Sequence, residues 1–149
     1  MIGPPSRGPN GNTTSLWTPH SEDKDLNTPH IAVIDDDDAV REAMKSLINV
    51  LGYSVDGFAS AEAFLNSSRM PATDCVITDV QMPGISGIEL QRQLSACGSL
   101  TPVIFVTAYP DDATRVRVLR DGAVGLLSKP PRVESLLACL EKALHRGAA

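Results

Sequence analysis

Positive charge is scarce in this 149-residue chain. Thirteen Lys and Arg stand against eighteen Asp and Glu, for a net charge of −5. Contact with a phosphate backbone needs a basic face, so the charge balance argues against direct nucleic-acid binding by this domain. Long apolar runs are missing too. None approaches the roughly 20 residues of a membrane helix, and the N-terminus has no apolar signal-peptide core. A cytoplasmic protein with no membrane contact is expected. Cysteine is limited to Cys75, Cys97 and Cys139, an odd number without CxxC spacing. Free thiols in a reducing cytosol follow from that. No internal repeat is found. Neither GxGxxG nor a Walker loop follows the first apolar run; an acidic run stands there and would repel phosphates, which argues against a nucleotide- or flavin-binding module.

What is present is an ordinary core composition, 42% hydrophobic, over a length that suits one domain plus a tail. Residues 1–29 form the tail. Pro4, Pro5, Pro9, Pro19 and Pro29 alternate with Gly, Ser, Thr and Asn, and Leu16, Trp17 and Leu26 are its few large apolar groups after Met1 and Ile2. Such a segment buries too little surface to offset its ordering entropy, so disorder is expected. From His30 to Arg146 the pattern is that of a folded domain. Apolar runs at 31–34, 53–58, 74–78, 102–106 and 124–127 read as strands. Between and after them, apolar residues spaced by three and four read as helices. The first helix carries Val40, Ala43, Met44, Leu47, Ile48 and Leu51 on one face, with Asp38 placed to cap it and Gly52 to end it. Ser60 opens a short second helix. Ser86 and Glu89 fit a capping box on the third, the fourth spans Asp111 to Arg120, and the last turns Val133, Leu136, Leu137, Leu140 and Leu144 inward. Repeated βα units require a parallel sheet with helices on both faces, joined by right-handed crossovers.

In a parallel sheet the C-terminal ends of all strands share one edge, where open α/β sheets place their chemistry. Asp35-Asp36, Asp79, Thr107 and Lys129 each end a predicted strand and so converge there. Three adjacent carboxylates repel one another and resist desolvation. A divalent cation relieves that, and an oxygen-only set suits magnesium or manganese. Asp79, ahead of a Met-Pro-Gly turn, is the candidate nucleophile toward a phosphoryl group. Phosphoryl transfer needs positioning and charge neutralisation more than acid–base chemistry. The Thr107 hydroxyl and the Lys129 ammonium can supply these, with no His or Cys in the set. Each residue alone has a plainer reading. A run of Asp after a strand is usually a solvated cap, and Asp37 and Asp38 are read that way. The joint occurrence at one edge favours a site.

Ile34-Asp35-Asp36-Asp37, Thr78-Asp79-Val80-Gln81-Met82-Pro83-Gly84-Ile85-Ser86-Gly87, Val106-Thr107-Ala108 and Ser128-Lys129-Pro130 together resemble the receiver domain of bacterial two-component response regulators. The resemblance covers residues 30–146. Ser60-Ala61-Glu62-Ala63-Phe64-Leu65 and Gly122-Ala123-Val124 resemble the nitrogen-fixation-regulator branch. It implies a flavodoxin-like sheet of order 2-1-3-4-5, and phosphorylation of Asp79 by a histidine kinase or phosphotransfer protein. Magnesium or manganese would be held by Asp35, Asp36, Asp79 and the Gln81 carbonyl, with Thr107 and Lys129 on the aspartyl phosphate and a cis Lys129-Pro130 bond. It implies a signalling domain rather than an enzyme, whose only chemistry is self-phosphorylation and autodephosphorylation. A target protein would read the fourth helix, fifth strand and fifth helix, a face also suited to a phosphorylation-dependent homodimer.

Three departures stand out. Leu126 occupies the aromatic switch position, Pro131 follows the Lys-Pro pair where an aromatic is common, and Tyr109 places a bulky group at the site rim as a candidate gate. Two other functions compete. A haloacid-dehalogenase-type phosphatase requires an acid two residues after its nucleophile, where Gln81 stands. A degenerate receiver acting only through protein contacts would not need the intact Asp35, Asp36, Asp79, Thr107 and Lys129. The chain stops soon after the last predicted helix, so it reads as a stand-alone receiver or a piece of a longer regulator.

Overall fold

The computed structural model describes residues 28–148. All but the last two residues of the expected tail lie outside them. Along the chain come β1 (His30–Ile34), α1 (Asp38–Val50), β2 (Ser54–Phe58), α2 (Ala61–Leu65), β3 (Cys75–Asp79), α3 (Gly87–Ala96), β4 (Val103–Thr107), α4 (Asp112–Arg120), β5 (Gly125–Ser128) and α5 (Val133–Ala148). A short 3-10 turn, Met70–Ala72, which periodicity did not foretell, precedes β3. Every strand pairing is parallel and the order is β2-β1-β3-β4-β5, the expected flavodoxin-like arrangement. The strands run one residue further than predicted at three ends, so Asp79, Thr107 and Ser128 each close a strand.

Alternation along the buried strands divides the core in two. Ile31, Val33, Cys75, Ile77, Ile104 and Val106 face Met44 and Ile48 of α1 and Leu136, Leu140 and Ala143 of α5. Ala32, Ile34, Val76, Val103, Phe105 and Leu126 face Phe64 of α2, Leu90 and Leu94 of α3 and Val118 of α4. The result is a three-layer sandwich in which both sheet faces are dry, as all-parallel sheets require.

Several local details differ from the sequence reading. Asp37, not Asp38, caps α1: its carboxylate accepts the Val40 N–H. The Asp37 N–H in turn donates to Asp35 Oδ1 at 2.9 Å, which fixes the turn one residue early. Ser86 caps α3 through the Glu89 N–H, but the Glu89 carboxylate turns to Arg92 and Gln93, so the reciprocal half of the box is not made. Val133 is exposed, not inward. It lies in the first turn of α5, ahead of Leu136, where burial of that helix against the sheet begins. Ala43 is exposed as well.

Candidate phosphoacceptor site

β1 and β3 are neighbours, and the chain leaves them in opposite directions, β1 to a helix on one face and β3 to a helix on the other. A crevice must open between their ends. Asp35 sits just beyond β1 and is 2% exposed. Its backbone is fixed on both sides: the N–H donates to the Phe58 carbonyl at 3.1 Å, and the carbonyl accepts from Arg41 Nη1 at 2.8 Å. Asp79, the last residue of β3, is half-buried, and its Oδ1 accepts the Gln81 N–H at 3.3 Å. Asp36 is exposed. One carboxylate oxygen from each of Asp35, Asp36 and Asp79 lies within 4.8 Å of the others. These three are the sole carboxylate, His or Cys cluster of such closeness among the described residues.

Lys129 reaches in from the end of β5. Its Nζ stands 2.7 Å from Asp35 Oδ2 and 2.7 Å from Asp79 Oδ2. Burial pulls the ammonium pKa down, but the hydrogen bonds and charges of Asp35 and Asp79 outweigh it, leaving the pKa above the ordinary lysine value. Lys129 is therefore held charged. Its backbone N–H bonds the Thr107 carbonyl at 2.9 Å, which ties the two strand ends together. The Lys129-Pro130 bond is cis, as the resemblance implied. The Thr107 hydroxyl accepts the Tyr109 N–H at 3.3 Å.

A cleft of about 370 Å³ opens beside Asp79, with Gln81, Thr107, Ala108 and Lys129 in its walls. Asp111 and Thr114, at the start of α4, also line it. All the predicted residues thus share one rim, with Asp79 and Lys129 common to the acidic cluster and the cleft. Tyr109 is 87% exposed and also lines the cleft. Leu126 is fully inward beside Phe105 and Val118. In place of a movable ring, Arg115 Nη1 of α4 donates to the Leu126 carbonyl at 3.1 Å and ties α4 to β5.

The donor set fits a small hard cation: oxygens alone, three carboxylates in reach of one point, and a single ammonium that offsets only one of their three charges.

A family model for the response regulator receiver domain matches residues 31–141. The chain belongs to that family. The response regulator protein TodT of Pseudomonas putida is 43% identical over 114 residues, 76% of this chain and 50% of TodT. The transcriptional regulatory protein FixJ of Bradyrhizobium diazoefficiens is 38% identical over 117 residues, 78% of this chain and 57% of FixJ. Among solved structures, the response regulator StyR superposes with a TM-score of 0.74 at 39% identity, over 81% of this chain and 61% of StyR. The N-terminal part of FixJ superposes with 0.71 at 29% identity, over 80% of this chain and 95% of that one. The chain thus spans little more than half the length of the curated relatives it matches. No described helix is long and apolar enough to cross a membrane.

Sequence reasoning missed Arg41. Besides the Asp35 carbonyl, its guanidinium binds the Asp38 carboxylate. Its stem crosses Gly57 of β2, where a Cβ would lie 3.2 Å from Arg41 Cδ and 2.7 Å from Lys45 Cδ. A glycine inside a strand was the available signal of close approach. Arg41→Ala is expected to lower stability by about 1–3 kcal/mol, through a lost charge-assisted bond and lost stem packing. Arg41→Lys would recover the packing but not the two-pronged bond. Urea denaturation of both variants checks this, and an Arg41→Ala midpoint equal to wild type would refute it.

Proposed function

We propose that Asp79 accepts a phosphoryl group from a phosphohistidine of a partner kinase or phosphotransfer protein in the cytoplasm. An Asp79 oxygen forms the new bond to phosphorus as the donor's phosphorus–nitrogen bond breaks. The imidazole leaves with the bonding pair, neutral because its other nitrogen already carries a proton. Asp35, Asp36, Asp79 and the Gln81 carbonyl would hold magnesium or manganese, which when bound neutralises charge on the phosphoryl oxygens. Lys129 contributes a second positive charge, and the Thr107 hydroxyl donates to a phosphoryl oxygen across the cleft. The observation that carries this reading is the position of Lys129 Nζ, 2.7 Å from both Asp35 and Asp79. A cation stands where the product's negative charge develops, and a cleft beside it admits the donor. The domain is then a signalling switch whose only chemistry is its own phosphorylation and dephosphorylation. Its output is a shifted equilibrium in the surface formed by α4, β5 and α5, read by a target protein or a second copy.

The donor protein must stand against this rim. An apolar groove of about 360 Å³ begins at Lys129 and runs along α1, lined by Val40, Ala43, Met44 and Leu47 with Pro130 and Pro131 opposite. Its continuity with Lys129 makes it the seat for the donor. Uptake of one phosphate from acetyl phosphate, dependent on magnesium and measured by intact mass, tests the acceptor function; no adduct with several small donors would remove it. Ala43→Glu is expected to slow transfer from a phosphohistidine protein about tenfold or more. Acetyl phosphate uptake should be unchanged. Equal slowing of both would mean that the groove is not the donor's seat.

A further inference from the structure

The Glu62 carboxylate has no part in the chemistry above, and it comes from the Ser60–Leu65 motif that the site leaves unexplained. α2 carries it to the loop between β3 and α3. Glu62 Oε2 accepts the Ile85 N–H at 3.2 Å, a contact across 23 positions of sequence. The same oxygen presses on Gly84, where a Cβ would stand 2.5 Å away. Gly84 adopts φ +78°, so the turn is built around the carboxylate with the one residue that tolerates both demands. The other oxygen, Oε1, is buried without a hydrogen-bond partner, and no basic side chain pairs with Glu62 among the described residues. A buried acceptor left unmade costs stability. Packing alone therefore gives no reason for a carboxylate here.

The loop that Glu62 grips begins at Val80 and runs through Gln81 to Ser86. Its far end is held by the Gly87 N–H on the Val80 carbonyl at 3.0 Å and by the Ser86 cap of α3. Its near end is held by the Gln81 N–H on Asp79 Oδ1. Between these anchors, the Glu62–Ile85 bond is the one hydrogen bond from α2 to the loop backbone among the described residues.

We infer that Glu62 is a positioning residue for the metal: it clasps the loop and thereby sets the direction of the Gln81 carbonyl. This rests on the receiver reading of the site. By linkage, a cation bound through Gln81 also tightens the clasp, so α2 feels the state of the site.

The test compares wild type, Glu62→Ala and Glu62→Gln. Amide hydrogen exchange at Ile85 in metal-free protein reports the clasp directly. Magnesium titrations of acetyl phosphate uptake separate half-saturation from the rate at saturation. In Glu62→Ala, Ile85 exchange should quicken about tenfold or more. The magnesium half-saturation should rise about three- to tenfold, with the saturated rate within about twofold of wild type. Glu62→Gln keeps an acceptor for Ile85 and should fall between. Thermal melts confirm that each variant is folded. Faster Ile85 exchange with an unchanged half-saturation would reduce the clasp to a structural contact and overturn the inference. Wild type that takes up no phosphoryl group and shows no magnesium response would overturn the receiver reading itself, a result seen before any variant is made.

Discussion

Asp79→Asn is expected to take up no phosphate from acetyl phosphate under conditions where the wild type is fully modified, and to be no less stable than wild type when metal-free. The first half follows from chemistry. An amide oxygen is a poor nucleophile, and no other carboxylate takes Asp79's place: Asp35 and Asp36 lie outside the cleft wall, and Asp111, which lines it, is engaged by Thr114 as the cap of α4. The second half follows from charge. Asp35, Asp36 and Asp79 crowd one another within 4.8 Å, and Lys129 pairs with two of them but offsets only one charge. Removing the Asp79 charge lessens that repulsion while Lys129 keeps its 2.7 Å bond to buried Asp35. A gain of up to about 1 kcal/mol in metal-free stability is expected. Magnesium should reverse the ranking. A ligand at ten times its dissociation constant stabilises the native state by about 1.4 kcal/mol, and a variant lacking one ligand loses much of that. Intact mass and urea denaturation, with and without magnesium, check both halves. An adduct that persists in Asp79→Asn would place the acceptor elsewhere. Wild-type stability unmoved by magnesium would remove the cation from the account.

Most of this rim was legible because its residues obey one rule. Asp35, Asp79, Thr107 and Lys129 each follow an apolar run, and a parallel sheet carries all such ends to the same edge. The rule needs only strand positions, which buried Ile, Val and Phe mark well. It fails where the contact depends on helix rotation and side-chain reach. Arg41 and Glu62 look like ordinary solvated charges on amphipathic helices. Their roles appear only when α1 crosses Gly57 and α2 meets the loop at Gly84. The cap of α1 was misplaced for a different reason. Four consecutive Asp residues give the sequence no means to choose among them, whereas the fold chooses Asp37, because Asp35 holds the turn from behind. Val133 had the right spacing for the inner face of α5 but lies ahead of the first residue that the helix buries, Leu136. The role of Leu126 was open in the sequence because the family pattern specifies a ring. In the fold its side chain is core, beside Val118 of α4, and its carbonyl accepts from Arg115 of the same helix.

Gly87→Ala should be among the most damaging single substitutions in the domain, although it adds one methyl group. Gly87 is the first residue of α3, and a Cβ there would stand 2.0 Å from the Asp79 carbonyl oxygen and 3.1 Å from Phe105 Cε1. Neither neighbour can yield cheaply. Asp79 is paired with Val106 in the sheet, and the Val80 N–H fastens the same stretch to the Val106 carbonyl. Phe105 is fully buried. The start of α3 must therefore back away, breaking the Gly87 N–H bond to Val80, or Asp79 must turn. Overpacking of this kind costs about 3 kcal/mol, a large fraction of the roughly 5–15 kcal/mol that holds a domain together. Gly98 supplies the control. It has φ +80° with nothing within 4 Å of a Cβ, so Gly98→Ala carries backbone strain of about 1–2 kcal/mol and no clash. Urea denaturation of the two variants should separate them. A Gly87→Ala midpoint at or above that of Gly98→Ala would mean that α3 is not seated on Asp79 as tightly as the 2.0 Å approach demands. Phosphoryl uptake by the folded fraction then tells which side moved. Uptake in proportion to folded protein means that α3 gave way; uptake lost beyond that proportion means that the acceptor itself was turned from the cleft.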